Sequence, residues 1–316
     1  MSALATCYVC MTKKLFFVGI ILSAAGVPSP PLALAVGILY GFSFVHPFRE
    51  SSSELAKFLL QASVVLLGFG MNLQEVLKVG KSGFLFTAIS ITFAMVIGLG
   101  LGRIFRVGSV PSLLICAGTA ICGGSAIATI GPVLNADEEE MAVSLGTVFV
   151  LNSVALLLFP LIGWWLHLSQ TQFGLWSALA IHDTSSVVGA SQRFGPTALA
   201  VGTTVKLARA LWIVPVTLVI SSRKRSSAPV QWPWFIGLFC VAAILSTYAP
   251  RLHVIFAKLS TLGRIGLSVT LFLIGTGISR KVLKQVGVRP MLQGVILWIV
   301  IATASLLAIR HGWFTL

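Results

Sequence analysis

The sequence predicts an all-α protein that crosses a lipid bilayer about ten or eleven times, and three observations carry that prediction. First, 57% of its 316 residues are hydrophobic and only 9% are charged, which leaves a soluble domain too little polar surface to face water. Second, apolar runs of about 20 residues, the length that spans hydrocarbon, recur along the whole chain. Third, two of those runs hold clusters of Gly, Ser and Thr where a lipid-facing helix would hold Leu, Ile or Val. These are ICGGSAIATIGPVL, from Ile121 to Leu134, and IHDTSSVVGAS, from Ile181 to Ser191.

Taken in order, the spans are expected near residues 14–27, 31–47, 55–73, 84–102, 109–135, 141–165, 172–194, 196–221, 233–249, 262–279 and 290–309. The first follows Lys13 and Lys14 and has the charge and length of a signal peptide. VPSPP is a poor cleavage site, however, and PLALAVGILYGFSFV follows at once, so the segment reads as half of a retained helical hairpin behind a cytoplasmic tail of residues 1–12. Cys7 and Cys10 form a CYVC with no second Cys or His pair at zinc-site spacing, so no metal site is expected. The formal net charge of +14 is spread between the apolar spans and forms no basic face, which excludes a nucleic-acid partner and leaves topology as its meaning. With the N-terminus in the cytoplasm, thirteen Lys and Arg fall inside, including Arg223, Lys224 and Arg225, against seven outside. That asymmetry fits a multi-pass protein of the bacterial inner membrane, N-in and C-out.

A weak internal repeat supports this topology. LLGFGMNLQEVLKVGKSG (Leu66–Gly83) aligns with LIGTGISRKVLKQVGVRP (Leu273–Pro290), placing Gly68, Gly70 and Gly80 opposite Gly275, Gly277 and Gly287. The first copy ends an outward-running span and the second an inward-running one, so the repeats are inverted within a single membrane domain of residues 1–316. Inverted repeats with discontinuous helices near the midplane are characteristic of secondary transporters.

Polar residues inside the spans locate the candidate site. Gly123, Gly124 and Ser125 in succession predict a broken helix, because Gly tolerates non-helical backbone. Backbone freed by a break survives at membrane depth only when it is buried in protein or lines a wet cavity. Of eight acids, only Asp183 lies within a span, beside His182. Lys206 and Arg209 occupy the next span at i and i+3, on one helical face. Charges at such depth are costly and functional by default. Two fixed cations face one carboxylate, and Cys122, Gly123, Gly124, Ser125, Thr184 and Ser185 stand at half-helix N-termini that favour negative ligands, so the expected ligand is a small oxyanion. In this reading Lys206 and Arg209 supply the positive potential, with Arg209 as the bidentate clamp. His182, Asp183 and Asn152 are the coupling residues. Asp183, Thr184 and Asn152 also offer the oxygens that Na⁺ would take, so Na⁺-coupled symport of an organic anion stays open.

ICGGSAIATIGPVL followed by DEEE, then IHDTSSVVGAS, then VKLARALWIVPVTL, with VVLLGFGMNL before them, resemble the motifs of the YeiH-type sulfate exporter family in order and spacing, from about Leu55 to Leu307. The resemblance implies kinship with bile acid:sodium symporter-like transporters and a core of two crossed discontinuous helices. It implies sulfate or an organosulfonate as the exported anion, coupled to H⁺ or to the membrane potential. The chain departs from the family in carrying His182-Asp183 where His-Glu is expected, and Gly70 where an Arg often follows LLGF. Two readings from other classes compete: an intramembrane enzyme with Cys122 as nucleophile and His182 as base, and a passive anion channel. The enzyme reading has no third member to orient the base, and the channel reading lacks rings of charge. No enzymatic activity and no cofactor are expected. The partners expected are the anion and the bilayer, with a homodimer left open.

Overall fold

A computed structural model describes residues 3–28, 30–44, 47–224, 234–277 and 286–314. Among them every regular element is helical: α1 (Ala3–Ala24), α2 (Pro30–Ser43), α3 (Arg49–Gly68), α4 (Leu73–Ile104), α5 (Ser109–Ala120), α6 (Gly124–Val133), α7 (Glu138–Trp165), α8 (Gln170–Ala180), α9 (Thr184–Phe194), α10 (Pro196–Ala210), α11 (Ile213–Lys224), α12 (Trp234–Tyr248), a 3-10 turn at Pro250–Leu252, α13 (His253–Gly277) and α14 (Val288–Arg310). Five stretches within them are long and apolar enough to cross a membrane, Val76–Ile104, Glu138–Trp165, Pro196–Ser222, His253–Gly277 and Val288–Arg310. Shorter apolar helices fill the intervals. The chain is an all-α, multi-pass membrane protein.

Each expected span has its helix or helix pair, with differences at the ends. The tail expected over residues 1–12 is helical from Ala3 onward, as part of α1. α4 begins at Leu73 and α13 at His253, both well before the apolar runs that announced them. The side chains of Cys7, Cys10, Arg223 and Lys224 lie outside the described residues, as do Arg225, Arg280, Lys281 and Lys284. So does the middle of the second repeat copy.

The chain divides into two compact units, Met1–Leu73 with Phe235–Arg280, and Gln74–Trp234 with Lys281–Leu316. Both repeat copies straddle a point where the chain passes from the first unit to the second. In the first unit α13 packs on α2 and α3, around a cluster of Phe16, Ala33, Tyr40, Val269, Phe272 and Leu273. Hydrocarbon gives apolar side chains little reason to leave lipid for one another, so close backbone approach and dispersion must hold such helices together. Glycine permits that approach. A Cβ on Gly275 of α13 would stand 2.5 Å from the Leu34 carbonyl and 2.9 Å from the Ile38 nitrogen of α2. Gly68, its partner in the repeat alignment, does the same on α3, where a Cβ would meet the Phe239 carbonyl of α12 at 2.7 Å. A Cβ on Gly277 would meet nothing within 4 Å.

Gly275→Val is therefore expected to lower the thermal midpoint of the purified protein, by a loss of about 1–3 kcal/mol typical of overpacking against atoms that cannot yield. Gly277→Val is expected to leave the midpoint close to wild type. Equal melting of the two variants would show that the α2–α13 contact is not set by Gly275.

Candidate functional site

The second unit contains two interrupted helices. α5 ends at Ala120 and α6 starts at Gly124, while α8 ends at Ala180 and α9 starts at Thr184. Gly123 makes the first break with φ 69° and ψ −128°, a conformation that residues with a Cβ rarely adopt. The second break runs through Ile181 and Asp183 in extended backbone, φ −88° and ψ 132° at Ile181. The breaks meet: a Cβ on Gly123 would lie 3.4 Å from both Cα and Cβ of Asp183. Val148 of α7 touches the same point at 3.4 Å, and Asn152, one turn on and on the same face of α7, accepts the backbone N–H of His182 at 3.1 Å and of Asp183 at 3.2 Å.

Four half-helix ends thus converge, and each exposes backbone groups that lack a helical partner. Lys206 and Arg209 project from one face of α10 to the two C-terminal ends. Arg209 Nε donates to the Ala120 carbonyl at 2.5 Å and Nη2 to Thr119 at 3.0 Å, closing α5. Its Nη1 donates to the Ala178 carbonyl at 3.1 Å and to that of Leu179, closing α8. Lys206 Nζ donates to the Ile181 carbonyl at 2.7 Å. Both cations are fully buried. A cation at a helix C-terminus also answers the negative end of the dipole, so one arginine ties together the ends of two helices that lie far apart in sequence.

The N-terminal ends differ from each other. Asp183 caps α9: its Oδ2 accepts the N–H groups of Ser185 at 3.0 Å and Ser186 at 3.4 Å, and the Ser185 hydroxyl. α6 starts at Gly123, which has no side chain to cap it; Gly124 is half-buried against Phe149 and Ser125 is exposed. Three of the four ends are closed by a charged side chain, whereas at the start of α6 only the Cys122 thiol meets a backbone N–H, that of Ala126.

The structure gathers the candidate site residues from Cys122 to Arg209, yet in roles the sequence did not separate. Gly124 and Asp183 are half-buried and Ser125 is exposed, whereas Gly123, Lys206 and Arg209 are buried. Every guanidinium nitrogen of Arg209 is taken by a carbonyl, which makes it a helix tie where a bidentate anion clamp was expected. Cys122 and His182 are buried, at 3% and 1% exposure. Neither ring nitrogen of His182 has a hydrogen-bond partner, and no bond joins the ring to the Cys122 thiol or to the Asp183 carboxylate. Asn152 Nδ2 is likewise buried without a partner. Thr184 and Ser185 are buried in the first turn of α9.

Sequence reading missed two features. α10 and α11, expected as one span, part at Leu211–Trp212, just past Arg209, where Trp212 stacks on Phe84 at 4.6 Å; Pro215 was the available signal. The other is the clasp of Ser177 on Ser191, 3.0 Å between hydroxyl oxygens, which holds α8 to α9 across their break.

Comparison with known proteins agrees with this architecture. The family model described as conserved hypothetical protein 698 matches residues 5–294. The chain belongs to that family. It is similar to a UPF0324 membrane protein of Geobacter sulfurreducens, 50% identical over 281 residues that cover 89% of this chain and 91% of that one. It is also similar to UPF0324 membrane proteins of Bdellovibrio bacteriovorus, 47% identical with 90% of each chain covered, and of Porphyromonas gingivalis, 50% identical with 88% and 86% covered. No solved structure matches.

Two expectations follow for this UPF0324-like chain. Gly123→Ala should cost about 1–3 kcal/mol, the range for a Cβ forced into such backbone, seen as a lower thermal midpoint. Arg209→Gln should cost at least about 3 kcal/mol, because it strands buried carbonyls at two helix ends. If Arg209→Gln melts with wild type and alters only anion binding, the helix-tie role is wrong.

Proposed function

We propose that this protein is a secondary transporter of a small anion, held by its oxyanion head at the first turn of α6. The observation that carries the reading is the unequal treatment of the four converging helix ends. Lys206 and Arg209 cancel the negative ends of α5 and α8, and Asp183 closes α9. The positive end of α6 is left without a charged cap: its N-cap is Gly123, Gly124 is half-buried against Phe149, Ser125 is exposed, and the Cys122 thiol meets only the Ala126 N–H. Backbone N–H groups at the start of a half-helix in a membrane protein suit an oxyanion. Sulfate and organosulfonates are the substrates favoured by the resemblance of the motifs to sulfate exporters, with the bacterial inner membrane as location. Coupling is to H⁺ or to the membrane potential, and His182, buried with two unpartnered ring nitrogens, is the group to carry a proton.

Ligand binding to the folded state raises apparent stability by mass action. A panel of sulfate, thiosulfate, sulfonates, phosphate and carboxylates should therefore contain at least one anion that raises the thermal midpoint of the purified protein. Ser125→Asp, which puts a fixed carboxylate at the start of α6, should abolish that rise and increase the midpoint without ligand. If no anion shifts the wild type, or if Ser125→Asp responds as wild type does, the anion site is not here. In liposomes, His182→Gln should retain anion exchange and lose accumulation driven by a pH gradient. Unchanged pH-driven accumulation would remove His182 from the coupling.

A further inference from the structure

α7 runs 28 residues, Glu138–Trp165, and is long and apolar enough to cross the membrane. At 1.5 Å per residue it is about 42 Å long, so its start and its end lie at opposite faces. The side chains packed along it tell at which face each half-helix begins and ends.

α5 and α6 both have their outer ends beside the start of α7. The Ser144 hydroxyl of α7 donates to the Pro111 carbonyl, in the first turn of α5, at 3.5 Å. Further along, Val148 stands beside Gly118 and Gly123, where a Cβ on either glycine would lie 3.1 or 3.4 Å from it. α5 therefore runs inward alongside α7 as far as the break. α6 runs back. Ile127 lies over Gly118, at 2.9 Å from where a Cβ would stand, and a Cβ on Gly131 would run into the Met141 side chain near the start of α7. Leu114 of α5 and Leu134 at the end of α6 share one apolar cluster. Gly108, before α5, and Asp137, before α7, line a single open cavity with Arg106 and Arg289.

α8 and α9 have their outer ends beside the end of α7. Phe173 stacks on Phe194 with ring centroids 3.9 Å apart, and a Cβ on Gly163 of α7 would lie 2.5 Å from the first ring and 2.9 Å from the second. Arg193 sits over the Trp164 ring at 5.2 Å, and the Thr197 N–H donates to Gln170 Oε1 at 2.9 Å. Nearer the break, the Ser177 and Ser191 hydroxyl oxygens are 3.0 Å apart, although 14 positions separate them. In a helix that paused at the break and ran on, that separation would be about 21 Å.

We propose that α5–α6 and α8–α9 are re-entrant hairpins that enter the membrane from opposite faces and meet tip to tip at Gly123 and Asp183, beside Val148 and Asn152 of α7. Between Val107 and Gln192 the chain then crosses the bilayer once, where its apolar runs read as three spans. Asp137–Glu140 shares a face with Arg106, and His167 with Arg193. The asymmetry of Lys and Arg is blind to this difference, because neither residue occurs from Val107 to Gln192. Irregular backbone at membrane depth is tolerated where protein surrounds it, and the tips meet that condition. An anion held at the tips is separated from one face by α5–α6 and from the other by α8–α9, a consequence that rests on the transport reading above, whereas the hairpins themselves do not.

Cysteines placed one at a time at exposed positions test the topology. Ser109→Cys and Glu138→Cys mark the outer ends of the first pair, His167→Cys and Thr197→Cys those of the second. The full chain is labelled with a membrane-impermeant maleimide in right-side-out and in inverted vesicles, each variant read against wild type to subtract the native cysteines. The Ser109→Cys and Glu138→Cys variants should label in one vesicle orientation and lose the label in the other, and the His167→Cys and Thr197→Cys variants should do the reverse. Uninterrupted crossings would instead pair Ser109→Cys with His167→Cys, and Glu138→Cys with Thr197→Cys, and that result overturns the proposal. The double variant Ser177→Cys with Ser191→Cys supplies a second measurement. Copper phenanthroline should close it to a disulfide, read as the loss of two reactive thiols after denaturation, and two thiols that stay free overturn the second hairpin. If the labels fall as expected while no anion shifts the thermal midpoint, the hairpins stand and the anion site falls. The swapped pairing together with an anion-induced shift removes the hairpins and leaves the anion site.

Discussion

A backbone carbonyl that loses its helical partner inside a membrane must find another donor, and the second unit is arranged around that requirement. Breaking one helix at Gly123 and another near Asp183 strands carbonyls at Thr119, Ala120, Ala178, Leu179 and Ile181. Arg209 and Lys206, from one face of α10, collect all five. The buried cations are therefore as structural as they are electrostatic. Without them the breaks would be uncompensated. Site and fold share the same hydrogen bonds.

Much of this was legible in the sequence, for physical reasons that are easy to name. The breaks were visible because Gly123-Gly124-Ser125 and His182-Asp183-Thr184 are residue types that lipid-facing helix has no use for. The pairing of Lys206 with Arg209 followed from helical spacing. Their targets did not, because a sequence shows that a cation is buried without showing which acceptors surround it, and the carbonyls of a helix end belong to no particular residue type. Asn152 was picked out as polar and central, yet its work of holding both N–H groups of the second break depends on α7 lying alongside, a tertiary fact. α13 was foreseen from residue 262 only, since the segment from His253 to Thr261 is too mixed in polarity to read as membrane-spanning. It is helical through its continuity with the apolar part.

The two units solve the problem of cohesion in lipid differently. In the first, α13 and its neighbours approach until glycines meet backbone, with a few bonds added between elements, such as the Ser246 hydroxyl donating to the Phe69 carbonyl at 2.7 Å and Phe69 stacking on Phe256. In the second, aromatic stacks such as Phe173 on Phe194, at 3.9 Å and 7°, and Phe159 on Trp176, at 4.3 Å, surround a polar centre.

Arg209 has one more consequence, and it is electrical. A guanidinium does not lose its proton in a protein, and this one is anchored by bonds to two separate helices, so its charge cannot lag behind when those helices move. Any step that displaces the breaks along the membrane normal carries that charge through part of the transmembrane field, which acts with about 2.3 kcal/mol per elementary charge per 100 mV. If a transport step moves the breaks in this way, the bonds that mend the broken backbone couple that step to the membrane voltage.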